Sequence, residues 1–538
     1  MSPRGRAKSR PRTTVKPGPR TAPVGSRAFT RQAQALSRRT KRKGTPKTSK
    51  PSLSLRARTS LRRIPRAAWL CAAVAVVNAV CWSILTPPFQ VTDEPSHFAY
   101  TQQLAENTKL PTSSESTFSP EEEIVLRDIR QYEVRQSPEI HTISTSAEEQ
   151  HLQDDLEQHP SRHGEGGVGG AYADPPLYYL LETIPYGLAS SGTLLDQLEG
   201  MRLLSALMAG LTALFVFLFL RETLPRARWA WTVGALSVAL APLLGFISGA
   251  VNPDSMLTAV SAATFYCLAR AFRRGFTRTL AIATGVLIAV GFLTKVNFIG
   301  LVPGIVLGMV VLTVRASRTD RRAAYSSLGL ALAIALAPVW LYVIANLLSG
   351  HPGLGVVSQV LKLKGVHGSI LSKISYIWQL YLPRLPGMTN YFPGLSTTRG
   401  LWFNRGFGFY GWLDTSFPSW VNNLALIPTG ILALLCIRTL AVERTAARLR
   451  IAEISVYAVM AIGLLGLIGL SSYVDSSEGL FADPRYLLPL IPLLGAGLAL
   501  AARGAGRRWG PAVGALIIVL FLAHDIFSQI LVVGRYYS

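Results

Sequence analysis

The sequence predicts an all-α protein: a polytopic transmembrane helical bundle of about eleven spans, with a long helical first extracytoplasmic loop. Three observations predict it. Of 538 residues, 49% are hydrophobic and 16% charged, a charge content well below the roughly one quarter usual in soluble globular chains. Apolar runs of seventeen to twenty-three residues recur along most of the chain, each long enough to cross a hydrocarbon core about 30 Å thick at 1.5 Å per residue. Finally, alternate connections between these runs are short and rich in arginine, as cytoplasmic loops are.

Taken in order, residues 1–66 come first. They hold 21 Lys and Arg and no Asp or Glu, and so carry nearly all of the net charge of +24. Rich in Pro, Ser, Thr and Gly, this stretch cannot bury enough surface to fold, and it reads as a disordered cytoplasmic tail that touches anionic headgroups. Aromatic residues interleaved for base stacking are missing, so no nucleic-acid partner is expected. Residues 67–538 form the multi-spanning domain. The run Ala67–Leu85 is too long and too weakly cleavable for a signal peptide and reads as a retained first span.

The remaining spans are expected at 202–220, 229–249, 254–271, 279–296, 298–314, 325–347, 421–437, 453–472, 486–502 and 511–531. All four cysteines (Cys71, Cys81, Cys267, Cys436) fall inside spans and read as packing residues, not as disulfides or metal ligands. The spans read as largely free of charge at mid-membrane.

The Arg-rich connections "RETLPRAR", "RAFRRGFTR", "RASRTDRR", "RTLAVERTAARLR" and "RGAGRR" place five loops and the N-terminus on the cytoplasmic side. The C-terminus and the long loops 87–201 and 348–420 are then extracytoplasmic. Twenty of the thirty acidic residues lie in the first of these loops. Within it, "PTSSESTFSPEEE" and "HPSRHGEGGVGGAYAD" read as connectors, and "HLQDDLEQHPSRH" as a solvated acidic linker whose metal-capable residues lack tight spacing. "PPLYYLLETIPYGLA" (175–189) is apolar, aromatic and shorter than a span, which predicts an interfacial or re-entrant helix. Arg202 opens the second span.

Uncommon polar residues then converge on the extracytoplasmic face. Asp93, Glu94 and His97 follow span one, and Asp93-Glu94-Pro95 has the form of a helix start. Asn252 and Asp254 lie at the next outer turn and Lys295 at the one after. Arg405 and Asp414 lie in "FNRGFGFYGWLDTSFP", and Asp483, Arg485 and Tyr486 in "ADPRYLLPLIP". A charge near mid-helix costs about 2.5–3.5 kcal/mol on insertion scales, so charged residues recurring at one membrane depth predict a shared polar cavity. Each group also has a plainer reading: a solvated helix start, a snorkelling lysine, an interfacial arginine or a turn. Their joint pattern outweighs these.

The stretches "TDEPSHF", "DPPLYYLL", "VNPDS", "LTKVNF", "FGFYGWLDTSFP" and "RYLLPLIP", in this order, resemble the polytopic bacterial family catalogued as domain of unknown function 2142. That family in turn resembles the GT-C membrane glycosyltransferases, over about residues 67–535. Thr92 stands where the family often has Pro, and "ADPRY" replaces a more usual Gln-Gly before Arg-Tyr.

The resemblance implies a GT-C-like architecture and an inverting transferase. Such an enzyme moves a sugar from a polyprenyl-phosphate donor to an envelope glycan or glycolipid acceptor, among membrane lipids. A carboxylate would take the acceptor proton while Lys or Arg steadies the departing phosphate. On this reading Asp93 is the base and His97 positions it. Glu94 orients the acceptor or holds a divalent cation, and no other metal site is expected. Lys295 and Arg485 bind phosphate, with Asn252, Asp254, Arg405, Asp414 and Tyr486 lining the substrate site. Two alternatives stand beside it: a transporter or flippase of a lipid-linked or anionic substrate, which calls for ionisable groups near mid-span, and a non-catalytic scaffold with a transferase-like fold.

Overall fold

A computed structural model describes residues 64–537 except 112–115, 143–144, 168, 226, 349–368, 394–396 and 475–481. The chain divides into Met1–Arg63 and Ile64–Ser538. Most of the basic tail, the start of the second long loop and residues 475–481 of the last outer connection therefore lie outside the described residues.

The protein is a polytopic membrane protein and almost wholly helical. Helix α1 (Arg66–Leu85) is followed by a run of shorter helices: α2 (Glu94–Asn107), α3 (Pro120–Asp128), α4 (Gln131–Gln136), α5 (Ser146–Glu157) and α6 (Leu177–Leu188). Then come α7 (Leu194–Thr223), α8 (Arg228–Ala239), α9 (Pro242–Ser248), α10 (Pro253–Arg274) and α11 (Arg278–Thr294). A 3₁₀ turn, Val296–Leu301, leads into α12 (Val302–Ser317), which is followed by α13 (Arg321–Leu348) and α14 (Ile370–Tyr381). A two-stranded antiparallel hairpin, β1 (Phe409–Tyr410) and β2 (Thr415–Ser416), precedes α15 (Ser419–Val442) and α16 (Ile451–Val474). The 3₁₀ turn Pro484–Leu490 leads into α17 (Ile491–Gly504), and α18 (Gly506–Tyr537) ends the chain.

Among the described residues, nine segments are long and apolar enough to cross a membrane, and α8 with α9 forms a tenth, bent by 54°. The shorter apolar α11 occupies the remaining expected position, 279–296. The bend has a local cause: Pro242 cannot continue the hydrogen-bond ladder, and the Asn78 amide donates to the carbonyl of Ala239 at 3.2 Å. Helix α7 starts eight residues earlier than its apolar run suggests. There the Asp196 carboxylate accepts the Thr193 N–H at 2.7 Å, which caps the first turn.

Small residues let the long helices touch. A Cβ at Gly304 would fall 2.7 Å from the Val456 carbonyl oxygen, so only glycine allows α12 to lie this close to α16. Helix α7 packs along both α1 and α10 and forms the centre of the bundle. Helix α6 buries Tyr178, Tyr179, Glu182 and Tyr186 and turns Leu180, Ile184 and Leu188 outward. That one-sided face suits a helix lying at the lipid interface.

The spans, expected to be largely free of charge, include one buried acid in α18. Asp525, within α18, accepts the Trp82 indole N–H at 3.0 Å and the Gln529 amide at 3.2 Å. Gln529 also donates to Asn78 at 3.1 Å. This carboxylate is thereby supplied with the donors that a buried charge requires. It ties α18 to α1.

The Arg-rich connections gather at one end of the bundle. Arg273 and Arg274 pair with the buried Glu222, Arg450 donates to the Thr223 carbonyl, and Arg503 pairs with Glu443. The connections after α1, α9 and α11, together with the one before Pro484, meet at the other end.

Candidate active site

Helix α1 stops at Pro87-Pro88, and Arg202 of α7 satisfies the carbonyls left open there. Its guanidinium donates to the carbonyls of Ser83 at 3.0 Å, Thr86 at 2.9 Å and Pro87 at 3.1 Å. It also grips Glu94 in a two-pronged contact, at 2.7 Å and 2.6 Å. The Val251 N–H donates a third bond to Glu94, at 3.0 Å. Glu94 is fully buried and its oxygens are engaged. This placement does not fit a carboxylate that handles an acceptor or a divalent cation. Glu94 instead locks the start of α2 onto α7 and the turn before α10.

Asp93, one residue earlier, behaves differently. It caps α2 with φ 68° and ψ 0°, a left-handed backbone unusual for a side-chain-bearing residue. Its side chain makes no capping bond but reaches Arg485, Oδ2 to guanidinium, at 2.6 Å. Thr92 braces the turn by donating to the Gly411 carbonyl of the hairpin at 2.9 Å. Asp93 keeps 46% of its side-chain surface open, whereas Arg485 keeps 6%. Burial alone would raise its carboxyl, but the Arg485 guanidinium and the further cationic charge beside it hold it below the usual carboxylate range.

Arg485 is held on its other side by Asp483, whose Oδ2 lies 3.3 Å from Nε and whose Oδ1 accepts the Arg485 backbone N–H at 2.9 Å. The Tyr486 ring lies 5.3 Å from the guanidinium carbon. Next to this pair, Lys295 contacts Asp254 at 2.9 Å. Asn252 caps α10 by accepting the Asp254 N–H at 2.9 Å. Asn252 Nδ2 and Asp254 Oδ2 are buried with no hydrogen-bond partner, an arrangement that calls for an explanation such as a polar ligand.

The ring contact of His97 goes to α6. Its Nδ1 lies 2.8 Å from the Tyr179 hydroxyl, not against the Asp93 carboxylate. Tyr179 donates to Asp174 Oδ2 at 3.3 Å. With its proton given there, the Tyr179 oxygen accepts from His97 Nδ1–H, which leaves the lone pair on Nε2. Burial, reinforced by the Lys295 charge, drives the imidazole down to about 3, so His97 is neutral. Burial pushes Asp174 up to about 6 against the pull of Lys295. The Tyr100 ring stacks on Tyr179 at 3.7 Å.

The structure thus brings together Asp93, His97, Asn252, Asp254, Lys295, Arg485 and Tyr486. Two expected residues take other partners. Asp414 pairs with Arg535 at 2.8 Å, and Arg535 also donates to the carbonyls of Val134 and Ile140, both at 2.8 Å. Asp414 therefore helps pin the first long loop to the end of α18. Arg405 lies over the Phe409 ring at 4.7 Å. Asp174, Tyr179 and Tyr100 were missed; the one hint was an acid just before Pro-Pro-Leu-Tyr-Tyr.

Residues 77–494 match the family described as "Predicted membrane protein (DUF2142)". None of the curated proteins matches the chain. Among solved structures it is similar to ArnT from Cupriavidus metallidurans bound to undecaprenyl phosphate, at 14% identity and a TM-score of 0.42, covering 80% of this chain and 59% of that one. The Archaeoglobus fulgidus oligosaccharyltransferase in its apo form is similar at 12% identity and a TM-score of 0.40, covering 87% and 56%. AglB from Archaeoglobus fulgidus, in complex with an inhibitory peptide and a dolichol-phosphate, is similar at 12% identity and a TM-score of 0.39, also covering 87% and 56%. The chain thus spans a little over half the length of these proteins.

Proposed function

The chain belongs to the DUF2142 family of predicted membrane proteins, and on that footing we propose that it transfers a sugar from a polyprenyl phosphate to a hydroxyl acceptor at the extracytoplasmic face of a bacterial plasma membrane. The observation that carries this reading is the contact of an open carboxylate, Asp93, with a buried guanidinium, Arg485, at 2.6 Å. A transfer of this kind needs a base beside an anion holder. The acceptor oxygen attacks the anomeric carbon as its proton passes to Asp93. The bond from that carbon to the phosphate oxygen breaks, and its electron pair leaves with the phosphate, steadied by Arg485 and Lys295.

The resident ion pair suggests an order of events. While Asp93 holds Arg485 it is a poor base, because the guanidinium stabilises its charge. A donor phosphate that draws Arg485 away raises the basicity of Asp93 where the acceptor arrives. Among the described residues, four carboxylates (Asp93, Asp174, Asp254 and Asp483) act on Lys295 and Arg485. Phosphate binding therefore proceeds by exchange of partners, and no spare positive charge is required. Asn252 Nδ2, buried without a partner, adds a donor for the phosphate or sugar.

One observation favours transport: Asp525, buried within α18, is an ionisable group inside a span, of the kind that a transporter would use. Its bonds to Trp82 and Gln529 fit a structural strut equally well. Purified protein in lipid nanodiscs, given a radiolabelled polyprenyl-phosphate sugar and a glycan acceptor, separates the readings. Label appearing in the acceptor supports transfer. In sealed vesicles of the same lipid, label that crosses the bilayer still attached to lipid supports transport.

A further inference from the structure

The first long loop carries a second cluster, far from Asp93 in its bonding and unused by the reaction above. Helix α5 sets His151 and Asp155 four residues apart on one face, and α3 ends against it at Asp128. One ligand atom from each of the three residues lies within 4.8 Å of the others, close enough to share a single ion. Asp128 supplies the pointer to a ligand. Its side chain keeps 7% of its surface, and its Oδ2, 3.8 Å from His151 Nδ1, is buried with no hydrogen-bond partner. A buried carboxylate oxygen without a donor is costly and calls for a ligand or an ion.

The present counter-ion is Arg127, at 2.8 Å from Asp128 Oδ1 and 2.7 Å from Asp155 Oδ2. Its side chain keeps 62% of its surface exposed, so it can turn into water without being buried elsewhere.

We propose that Asp128, His151 and Asp155 bind a divalent transition-metal ion of the Zn²⁺ type. One imidazole nitrogen and two carboxylate oxygens suit Zn²⁺, which takes mixed nitrogen and oxygen ligands near 2.0–2.2 Å in four-coordinate sites. Ca²⁺ and Mg²⁺ prefer all-oxygen shells of six or more ligands, and the histidine disfavours them. Three protein ligands leave a fourth position for water. The ion displaces Arg127 and clamps α3 to α5, adding to the buried Val125, Leu126, Leu152 and Leu156 and to surface ion pairs such as Arg130–Glu148.

The test uses the full chain in detergent, stripped with chelator and free of any histidine tag, with ZnCl₂ as the probe. Metal content after dialysis and calorimetric titration should both give one Zn²⁺ per chain, undisturbed by millimolar Mg²⁺. Asp128→Asn and His151→Gln should each weaken binding by at least about tenfold, as the loss of a ligand must cost no less than the loss of an outer-shell partner. His151 keeps 69% of its side-chain surface, so His151→Gln stays folded even if Asp128→Asn does not. Arg127→Gln should tighten binding, because it removes the competing cation. Absence of a tight site in the parent, binding unaffected by His151→Gln, or weaker binding in Arg127→Gln would each overturn the proposal.

Discussion

Asp93 and Arg485 are 392 residues apart in sequence and 2.6 Å apart in space. The contact joins the first turn after α1 to the turn that opens the penultimate span. It leaves the carboxylate open on one side and the guanidinium almost wholly enclosed. A group that folding alone required would be expected to be closed off, as Glu94 is. Asp93 also holds a left-handed backbone, a conformation that costs about 1–3 kcal/mol and persists where the surroundings enforce it.

Lys295 tests the phosphate half of the site. Lys295→Ala removes one of two cations and leaves Asp254, already short of a partner at Oδ2, without its 2.9 Å contact. Donor affinity measured by equilibrium binding should fall by about ten- to a hundredfold, the loss of one charge-assisted bond of about 1.5–3 kcal/mol. Unchanged affinity would remove Lys295 from the site.

Glu94 and Arg202 test the distinction between adjacent acids. Their buried pair makes two short bonds, and removing one partner of such a pair typically costs about 3–5 kcal/mol. Glu94→Ala should lower the unfolding temperature and the yield of folded protein, whereas Asp93→Asn should leave both near the parent. Equal thermal stability in the two variants would contradict the assignment.

Much of this was legible in the sequence, and the rest for physical reasons was not. Apolar runs located eleven helices because the bilayer demands length and composition of each one separately. Asp93, Lys295 and Arg485 stood out as charges at span ends. Telling Asp93 from Glu94 required knowing that Arg202, 108 residues on, reaches back to only one of them. Asp414 looked like a member of the cluster because its partner, Arg535, lies at the far end of the chain. Tyr179 and Asp174 were hidden in a run whose aromatics signal an interface, and one face of α6 does turn outward. The Asp128–His151 meeting is tertiary and has no sequence period.

Asp174 gives the pH dependence. Its raised value means that the fold favours the protonated acid, so its contribution to stability is full below the ordinary carboxyl range and is lost as pH rises through about 6. The Tyr179–His97 orientation needs the carboxylate, so turnover should fall as pH drops through about 6. Asp174→Asn should remove that acid limb from the profile. A limb that persists in the variant would assign it to another group.

The sidedness proposed for the site is open to labelling. A cysteine at the exposed Glu139 should react with an impermeant maleimide in intact cells, and one at the exposed Arg318 should react only after permeabilisation. The reverse pattern would put Asp93 in the cytoplasm and remove its proposed donor.

The most direct measurement compares donor binding and sugar transfer by the parent and Asp93→Asn in the same nanodisc preparation. The variant keeps size and polarity but cannot accept a proton, and it loosens its hold on Arg485. It should bind polyprenyl-phosphate sugar at least as tightly as the parent and transfer it about 10²–10⁴-fold more slowly. Transfer at the parent rate would make the Asp93–Arg485 contact a structural pair and contradict the proposed chemistry.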